Sequence, residues 1–328
     1  MLYKTVNTNN ILVTGGFGIL GRSLINQLLI NKKNNIFLLD RSSNKKKIST
    51  LKIKNKNLKV IKGDFKNYKT LYKLIKNKNI GTIFHLGAIT QVIDAYKSPV
   101  ETFDCNIMGT INILEVVRSI NKDIIFIYSS SDKAYGELNK KEYHEDHPLK
   151  GDYPYDVSKS ASDLIAQSYV KTYDLRVGII RSGNIYGPGD YNMDRLVPHV
   201  IISTLNNKRS ILRSNGKLIR DYLYVEDVSR AYMLLMNSML KKKKSLYIYN
   251  VGSNENLSVI GLVRLIVKKI KNNKLKPKIN NNSRIEIKRQ KLNYNKIYKD
   301  LGWKPIWKIE DAMSITIEWY KDNLKLFR

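Results

Sequence analysis

Short apolar runs rich in β-branched residues alternate along this chain with longer stretches whose apolar residues recur every three or four positions. Parallel strands joined by crossover helices produce that rhythm. Strands are predicted at residues 11–14, 36–40, 59–62, 82–86, 124–129 and 177–181, and helices at 18–30, 68–76, 100–120 and 155–173. Six strands in this alternation predict an α/β fold with a doubly wound parallel sheet. Its ligand should lie outside the carboxyl ends of the strands, where the strand order reverses. After Arg181 the rhythm breaks, because Gly183, Gly187, Pro188 and Gly189 crowd a turn-rich segment and the pieces beyond it no longer alternate strictly. A first domain is therefore expected at 1–182 and a smaller mixed α/β C-terminal lobe at 183–328. Residues 221–251 are expected to return to the first domain, with a strand-like run at 245–251. The lysine run 241–244 reads as a solvated loop, and no internal repeat is found.

Charge changes this picture little. Against 28 Asp and Glu stand 58 Lys and Arg, a formal net charge of +30 on 328 residues, which invites a nucleic-acid partner. Only 14 of those cations are Arg, however, and many of the 44 Lys sit beside Asn in runs such as 32–35 and 52–57. No basic stripe interleaved with aromatics stands out, so the charge reads as compositional bias on solvated positions and no nucleic-acid partner is expected. Hydrophobic residues at 42% suffice for a sizeable core. Residues 1–10 hold no apolar signal segment, and no run approaches the roughly 18 apolar residues of a membrane span, so neither secretion nor membrane insertion is expected. One cysteine, Cys105, forms no internal disulfide and no thiol-based zinc site, which fits a reducing cytoplasm.

Immediately after the first predicted strand comes Gly15-Gly16-Phe17-Gly18-Ile19-Leu20-Gly21, with glycines at 15, 18 and 21. Such glycines permit unusual backbone angles, let a pyrophosphate approach the backbone and bring the helix close to the strand. The next strand ends in Asp40, where a carboxylate can bind both adenosine ribose hydroxyls. It repels a 2′-phosphate and favours NAD over NADP, although Arg41 offers an alternative partner for that phosphate or for adenine. Asp64, followed by Phe65, is placed either to accept from the adenine amino group or to cap a helix. Leu86, Gly87 and Ala88 end the fourth strand at the same edge. This is the Rossmann-type arrangement, with NAD as the expected cofactor.

Tyr155 and Lys159 fall at i and i+4 on the predicted helix 155–173, where the ammonium can lower the phenol pKa and make a base for a sugar hydroxyl. Spacing alone is weak evidence, because 21 Tyr and 44 Lys give roughly three such pairs by chance, Tyr72 with Lys76 among them. Position distinguishes Tyr155, on the helix after the fifth strand and downstream of the serine cluster 129–131.

Several motifs occur in a fixed order: the glycine fingerprint, His85-Leu86-Gly87-Ala88, Ser129-Ser130-Ser131, Tyr155 with Lys159, the segment 181–189, the segment 220–228 and a closing Leu301-Gly302-Trp303-Lys304-Pro305. Together, from about residue 10 to residue 310, they resemble the extended short-chain dehydrogenase/reductases that act on nucleotide sugars, the NAD-dependent epimerase/dehydratase family. The resemblance adds Ile19, Leu20, Asn106 and Ser129 to the expected cofactor contacts. It also implies a homodimer formed through helices at 100–120 and 155–173, and a role in polysaccharide biosynthesis.

Ser131-Asp132-Lys133 resembles the turn of CDP-glucose 4,6-dehydratases, in which the acid protonates the departing C6 hydroxyl and the following base removes the C5 proton. A lysine base must have a pKa well below the ordinary value of about 10.4. Asp194-Arg195-Leu196-Val197-Pro198 is similar to the same subgroup, whereas Arg220-Asp221-Tyr222 follows the general epimerase pattern and leaves the nucleotide open. The reaction implied is a nucleotide-sugar 4,6-dehydration with Ser131, Asp132, Lys133, Tyr155 and Lys159 as catalytic residues. A 4-epimerase, which needs only Ser131, Tyr155 and Lys159, is the alternative, and a non-catalytic dinucleotide sensor the third reading. For a nucleotide diphosphate substrate, Asn184 is implied by resemblance, while Arg220 and Arg195 are cations suited to phosphate. His144 and His147 read as solvated and His85 as structural; no His and carboxylate spacing points to a metal.

Overall fold

The computed structural model describes residues 6–42, 51, 53–242, 244–255, 257–272, 275–281 and 287–327. Residues 1–5 of the amino-terminal segment, Lys52 and Lys243 of the lysine runs therefore lie outside the described residues. Among those described, seven parallel strands form one sheet: β1 (Asn7–Thr14), β2 (Asn35–Asp40), β3 (Leu58–Lys62), β4 (Ile80–His85), β5 (Ile125–Ser131), β6 (Arg176–Ser182) and β7 (Leu246–Val251). Their spatial order is β7-β6-β5-β4-β1-β2-β3, so the order reverses between β1 and β4. Register aligns the carboxyl ends, with Thr14 opposite His85 and Ser131 opposite Ser182. Everything these strands present at their ends meets along one edge.

The strands read as nearly unbroken apolar runs because both sheet faces are covered. Side chains alternate between them: Ile11, Val13, Leu38, Ile125 and Ile127 enter one core, and Leu12, Phe37, Leu39 and Phe126 enter the other. The first face is closed by α1 (Ile19–Leu28) and a later helix through Leu24, Ile25, Leu28 and Leu235. The second is closed by α2 (Tyr68–Asn77), α3 (Gly109–Ile120) and α4 (Pro154–Tyr173) through Leu71, Ile113, Val117 and Ala166. Each such leucine, isoleucine or valine, fully buried, contributes about 1.5–3 kcal/mol.

Beyond β6 the chain forms a separate apolar cluster around α5 (Leu196–Leu205), α7 (Val259–Lys269) and α8 (Ile309–Asp322), with Val200, Leu262, Ile266 and Met313 at its centre. Between these elements α6 (Val225–Lys241) returns to the first face of the sheet and β7 pairs with β6, Val251 opposite Ser182. No helix among the described residues is long and apolar enough to cross a membrane.

Two local departures from the sequence expectation have physical causes. The fifth strand continues through the serines to Ser131, because those residues pair with β6 up to Ser182. The helix expected at 100–120 is present but irregular: Pro99–Phe103 runs through a π-turn at Asp104–Met108 into α3 without leaving helical conformation. That turn buries Cys105 and Asn106, and single π-turns inside α-helices recur at functional sites.

Candidate active site

At the first strand end, Gly15 takes φ +71°, and a Cβ there would stand 2.7 Å from the Gly87 nitrogen. Only glycine fits a left-handed residue pressed against the end of β4. Gly18 differs, with extended φ −71° as the residue capping α1; its N–H closes the turn onto the Gly15 carbonyl at 3.0 Å. A Cβ at Gly21 would run into the Gly16 backbone, so this position lets α1 pack close to the loop. The helix amino terminus thus faces open space ready for an anion. Asp40 ends β2 and accepts from the Ser42 N–H at 2.8 Å, while Arg41 is exposed and does not line the cavity.

The cavity, about 900 Å³, runs along the strand ends. Gly15, Gly18, Ile19, Leu20, Gly21 and Asp40 line one end; Leu86, Ala88, Ser129, Ser131, Asp132, Lys133, Tyr155 and Lys159 line the middle; Asn184, Arg195 and Arg220 line the other end. The structure thus brings most of the sequence-predicted residues to one space. Asp64, Phe65 and Asn106 do not line it. Asp64 accepts from the Lys66 N–H at 2.9 Å, and the helix cap is Asn67 instead, accepting from Thr70. Phe65 packs edge-on against His85 with ring centroids 5.1 Å apart. The Asn106 amide holds the Ile89 backbone at 2.8 and 3.0 Å and reaches Ser158 at 2.9 Å, so it shapes the wall from behind.

In the middle section, the Ser131 hydroxyl donates to Asp132 Oδ1 at 2.9 Å and accepts from the Lys133 N–H at 3.2 Å, capping a 3-10 turn, Asp132–Tyr135. Asp132 is 2% exposed, and its Oδ2 has no hydrogen-bond partner among the described residues. Tyr155 begins the first turn of α4. Burial pushes its phenol above the ordinary range, opposed by a hydrogen bond with Ser131 and by the Arg195 cation. The Lys159 ammonium donates to the Ser129 carbonyl at 2.8 Å and lies 5.1 Å from the Tyr128 ring centre. Burial lowers the Lys159 pKa to about 8, against the pull of Cys105 and Asp163. Lys133 Nζ donates to Gln290 Oε1 at 2.8 Å.

A buried ion pair underlies this floor. Arg181 bonds Asp163 through two contacts of 2.9 Å, Ser130 donates to the same carboxylate at 2.7 Å, and Arg181 also donates to Tyr135 at 2.8 Å. Two elements that carry chemistry, the turn after β5 and helix α4, are thereby tied to β6. His85 is held between Thr14 at 2.8 Å and Thr110 at 3.2 Å, with its pKa lowered to about 3 by burial and then by Lys159; it is a neutral strut.

The far end is cationic. Arg195 bonds Asp190 and Thr90, each at 3.3 Å, Arg213 bonds Asp194 at 3.2 Å, and Arg220, 6% exposed, donates to the Ile219 carbonyl at 3.0 Å. Three guanidinium groups and Asn184 line this end, a donor set chemically suited to a diphosphate. Sequence reasoning had no signal for Arg213 or for Gln290, since neither belongs to a motif. Asp221, expected only as part of a motif, is buried and joins the lobes: its Oδ1 accepts from the Ser253 N–H at 2.7 Å and its Oδ2 from the Leu292 N–H at 3.0 Å.

Comparison with known proteins gives a consistent assignment. A model of the GDP-mannose 4,6 dehydratase family matches residues 12–316. A dTDP-D-glucose 4,6-dehydratase from Homo sapiens is 31% identical over 323 residues, 95% of this chain and 90% of that protein. Among solved structures, dTDP-glucose 4,6-dehydratase from Bacillus anthracis in complex with NAD superimposes with a TM-score of 0.86 at 27% identity, covering 96% of this chain and 97% of that one. UDP-glucose 4-epimerase from Thermotoga maritima, with UDP-glucose, gives 0.86 at 25% identity over 96% and 99% of the two chains.

Proposed function

The chain belongs to the NAD-dependent epimerase/dehydratase family, and from that premise we propose that it is a nucleotide-sugar 4,6-dehydratase working with bound NAD. One observation carries the reading: Asp132 and Lys133 line the cavity beside Tyr155 and Ser131. An acid and a base adjoining the tyrosine are what loss of water requires, and a 4-epimerase has no use for them. Gly15, with no room for a Cβ, and Asp40 at the end of β2 fit a pyrophosphate and an adenosine ribose. When bound, NAD supplies the hydride acceptor that makes a transient C4 ketone and later reduces C6.

The chain's own residues perform the proton chemistry. Tyr155 takes the C4 hydroxyl proton, helped by its hydrogen bond with Ser131 and by the Arg195 cation, which oppose the rise that burial imposes on its phenol. The 4-keto group acidifies C5, Lys133 removes the C5 proton, and Asp132 delivers a proton to the C6 oxygen, which leaves as water. Lys133 returns a proton to C5 when C6 is reduced, and the Tyr155 proton resets Asp132 through solvent. The net change is loss of one water. Arg195, Arg213 and Arg220 with Asn184 hold the nucleotide diphosphate.

We assign 1–182 together with 221–251 to cofactor binding and the rest of 183–328 to the nucleotide sugar. Tyr96, Val100, Met108, Val157 and Leu164 are exposed on neighbouring helices, and Val157 and Leu164 share one face of α4 at i and i+7. This patch supports a homodimer, checked by light scattering. The buried free thiol of Cys105 suits a reducing cytoplasm, and the product suits polysaccharide biosynthesis.

The experiment is to offer a panel of nucleotide hexoses in heavy water. A product lighter by one water and carrying deuterium at C5 is expected. Interconversion of C4 epimers without water loss or deuterium would establish the epimerase reading instead.

A further inference from the structure

Lys133 stands on a turn of the larger lobe, yet the group that receives its ammonium nitrogen comes from 157 residues further along the chain. Gln290 is fully buried, and its backbone is stitched into the junction between the lobes. Its N–H bonds the Ile219 carbonyl at 3.2 Å, while neighbouring Lys291 and Leu292 bond the Tyr143 N–H at 2.8 Å and the Asp221 carboxylate at 3.0 Å. Gln290 does not line the cavity, whereas Lys133 and Asp132 do. The glutamine therefore touches the base from behind.

The rest of its side chain argues against a purely structural use. Gln290 Nε2 is buried without a hydrogen-bond partner among the described residues, a cost that an apolar residue of similar volume would avoid. What glutamine adds over leucine is the oxygen that meets Lys133. A carboxamide also suits the task better than a carboxylate, which would favour the ammonium form and oppose proton removal. The lysine stem, with four rotatable bonds, needs such a fixed acceptor to keep one geometry.

Resting on the dehydratase reading, we infer that Gln290 is a positioning residue for the elimination step: its side-chain oxygen fixes the Lys133 amine for attack on the C5 hydrogen. The smaller lobe thus takes part in the chemistry as well as in substrate recognition. Because Gln290 acts through Lys133, its removal should slow elimination and leave the preceding C4 oxidation intact.

The test compares the wild-type holoenzyme with Gln290→Leu. After mixing with a substrate hexose nucleotide, the absorbance of reduced nicotinamide should rise as fast as in wild type. Formation of the water-loss product should slow by about tenfold or more, with KM changed by less than about twofold. Reduced cofactor then builds up, a signature that general loosening of the structure would not give. Should the leucine variant fail to fold, Gln290→Met, similar in volume and lacking the acceptor oxygen, asks the same question. Equal slowing of oxidation and elimination, or unchanged turnover, would overturn the positioning role. If the wild-type chain itself gives no water-loss product from any hexose nucleotide, the dehydratase reading fails first, whatever the variant does.

Discussion

The two ends of the cavity are built from different materials. Where the glycine loop meets β4, the walls are mostly backbone: Gly15 lies against Gly87, and α1 turns its free amide end toward the space. At the opposite end, long side chains do the work, with Arg195, Arg213 and Arg220 reaching in from the region beyond β6, and two of these held by carboxylates at 3.3 and 3.2 Å. Backbone recognises a constant ligand and tolerates almost no substitution. Arginine stems can be exchanged or redirected without disturbing the fold, so the same scaffold can accept different nucleotide sugars. The turn that carries Asp132 and Lys133 lines the same cavity.

Tyr155→Phe has the largest expected effect. Loss of the proton acceptor should lower kcat by about 10²–10⁴-fold while bound NAD is retained, as read by turnover and by cofactor content. A variant that left the protein's biological role intact would instead favour the sensor reading. Gly15→Ala breaks the backbone end: a positive φ and a Cβ against Gly87 should cost about 1–3 kcal/mol of stability and remove bound NAD, visible in thermal melting and cofactor content. Arg220→Leu probes the side-chain end more gently. It should raise KM for the nucleotide sugar by about 10- to 100-fold, the worth of one charge-assisted contact, with NAD content unchanged. If Arg220→Leu also stripped the cofactor, the two ends would not be separable.

The last effect concerns the junction of the lobes. Burial raises the Asp221 pKa to about 7, with hydrogen bonds from Ser253 and Leu292 opposing and Asp132 adding to the rise. An unfolded aspartate titrates near 3.9, so between about pH 4 and 7 the folded chain holds a proton that the unfolded chain has released. Its contribution is complete at low pH, and the melting temperature should fall gradually as pH rises through that window. Asp221→Asn should flatten the decline; an equally steep slope in that variant would remove Asp221 as its source.

What the sequence made legible was local. The glycine loop, Asp40, the serine turn and the pair Tyr155 and Lys159 are each set by residues within a few positions of one another, and the register of parallel strands carries them to one edge. What stayed hidden depended on distant partners. The π-turn inside the helix expected at 100–120 buries Asn106 and lets its amide reach Ile89 and Ser158. Lys159 meets the Ser129 carbonyl, which no spacing rule foretells. Asp163 emerges only when Arg181, read as part of a turn motif, proves to be inside and needs an anion.

The late return of β7 has a consequence during synthesis. Six strands of the sheet are in hand once residue 182 has emerged, but the outer side of β6 stays uncovered until Leu246–Val251 arrives, after an excursion through the smaller lobe. A nascent or truncated chain ending in that interval presents an apolar, unpaired strand edge, the template on which polypeptides aggregate. The span 183–245 is therefore a vulnerable stretch for the ribosome to cross, and a premature stop within it should yield insoluble protein rather than a working cofactor domain.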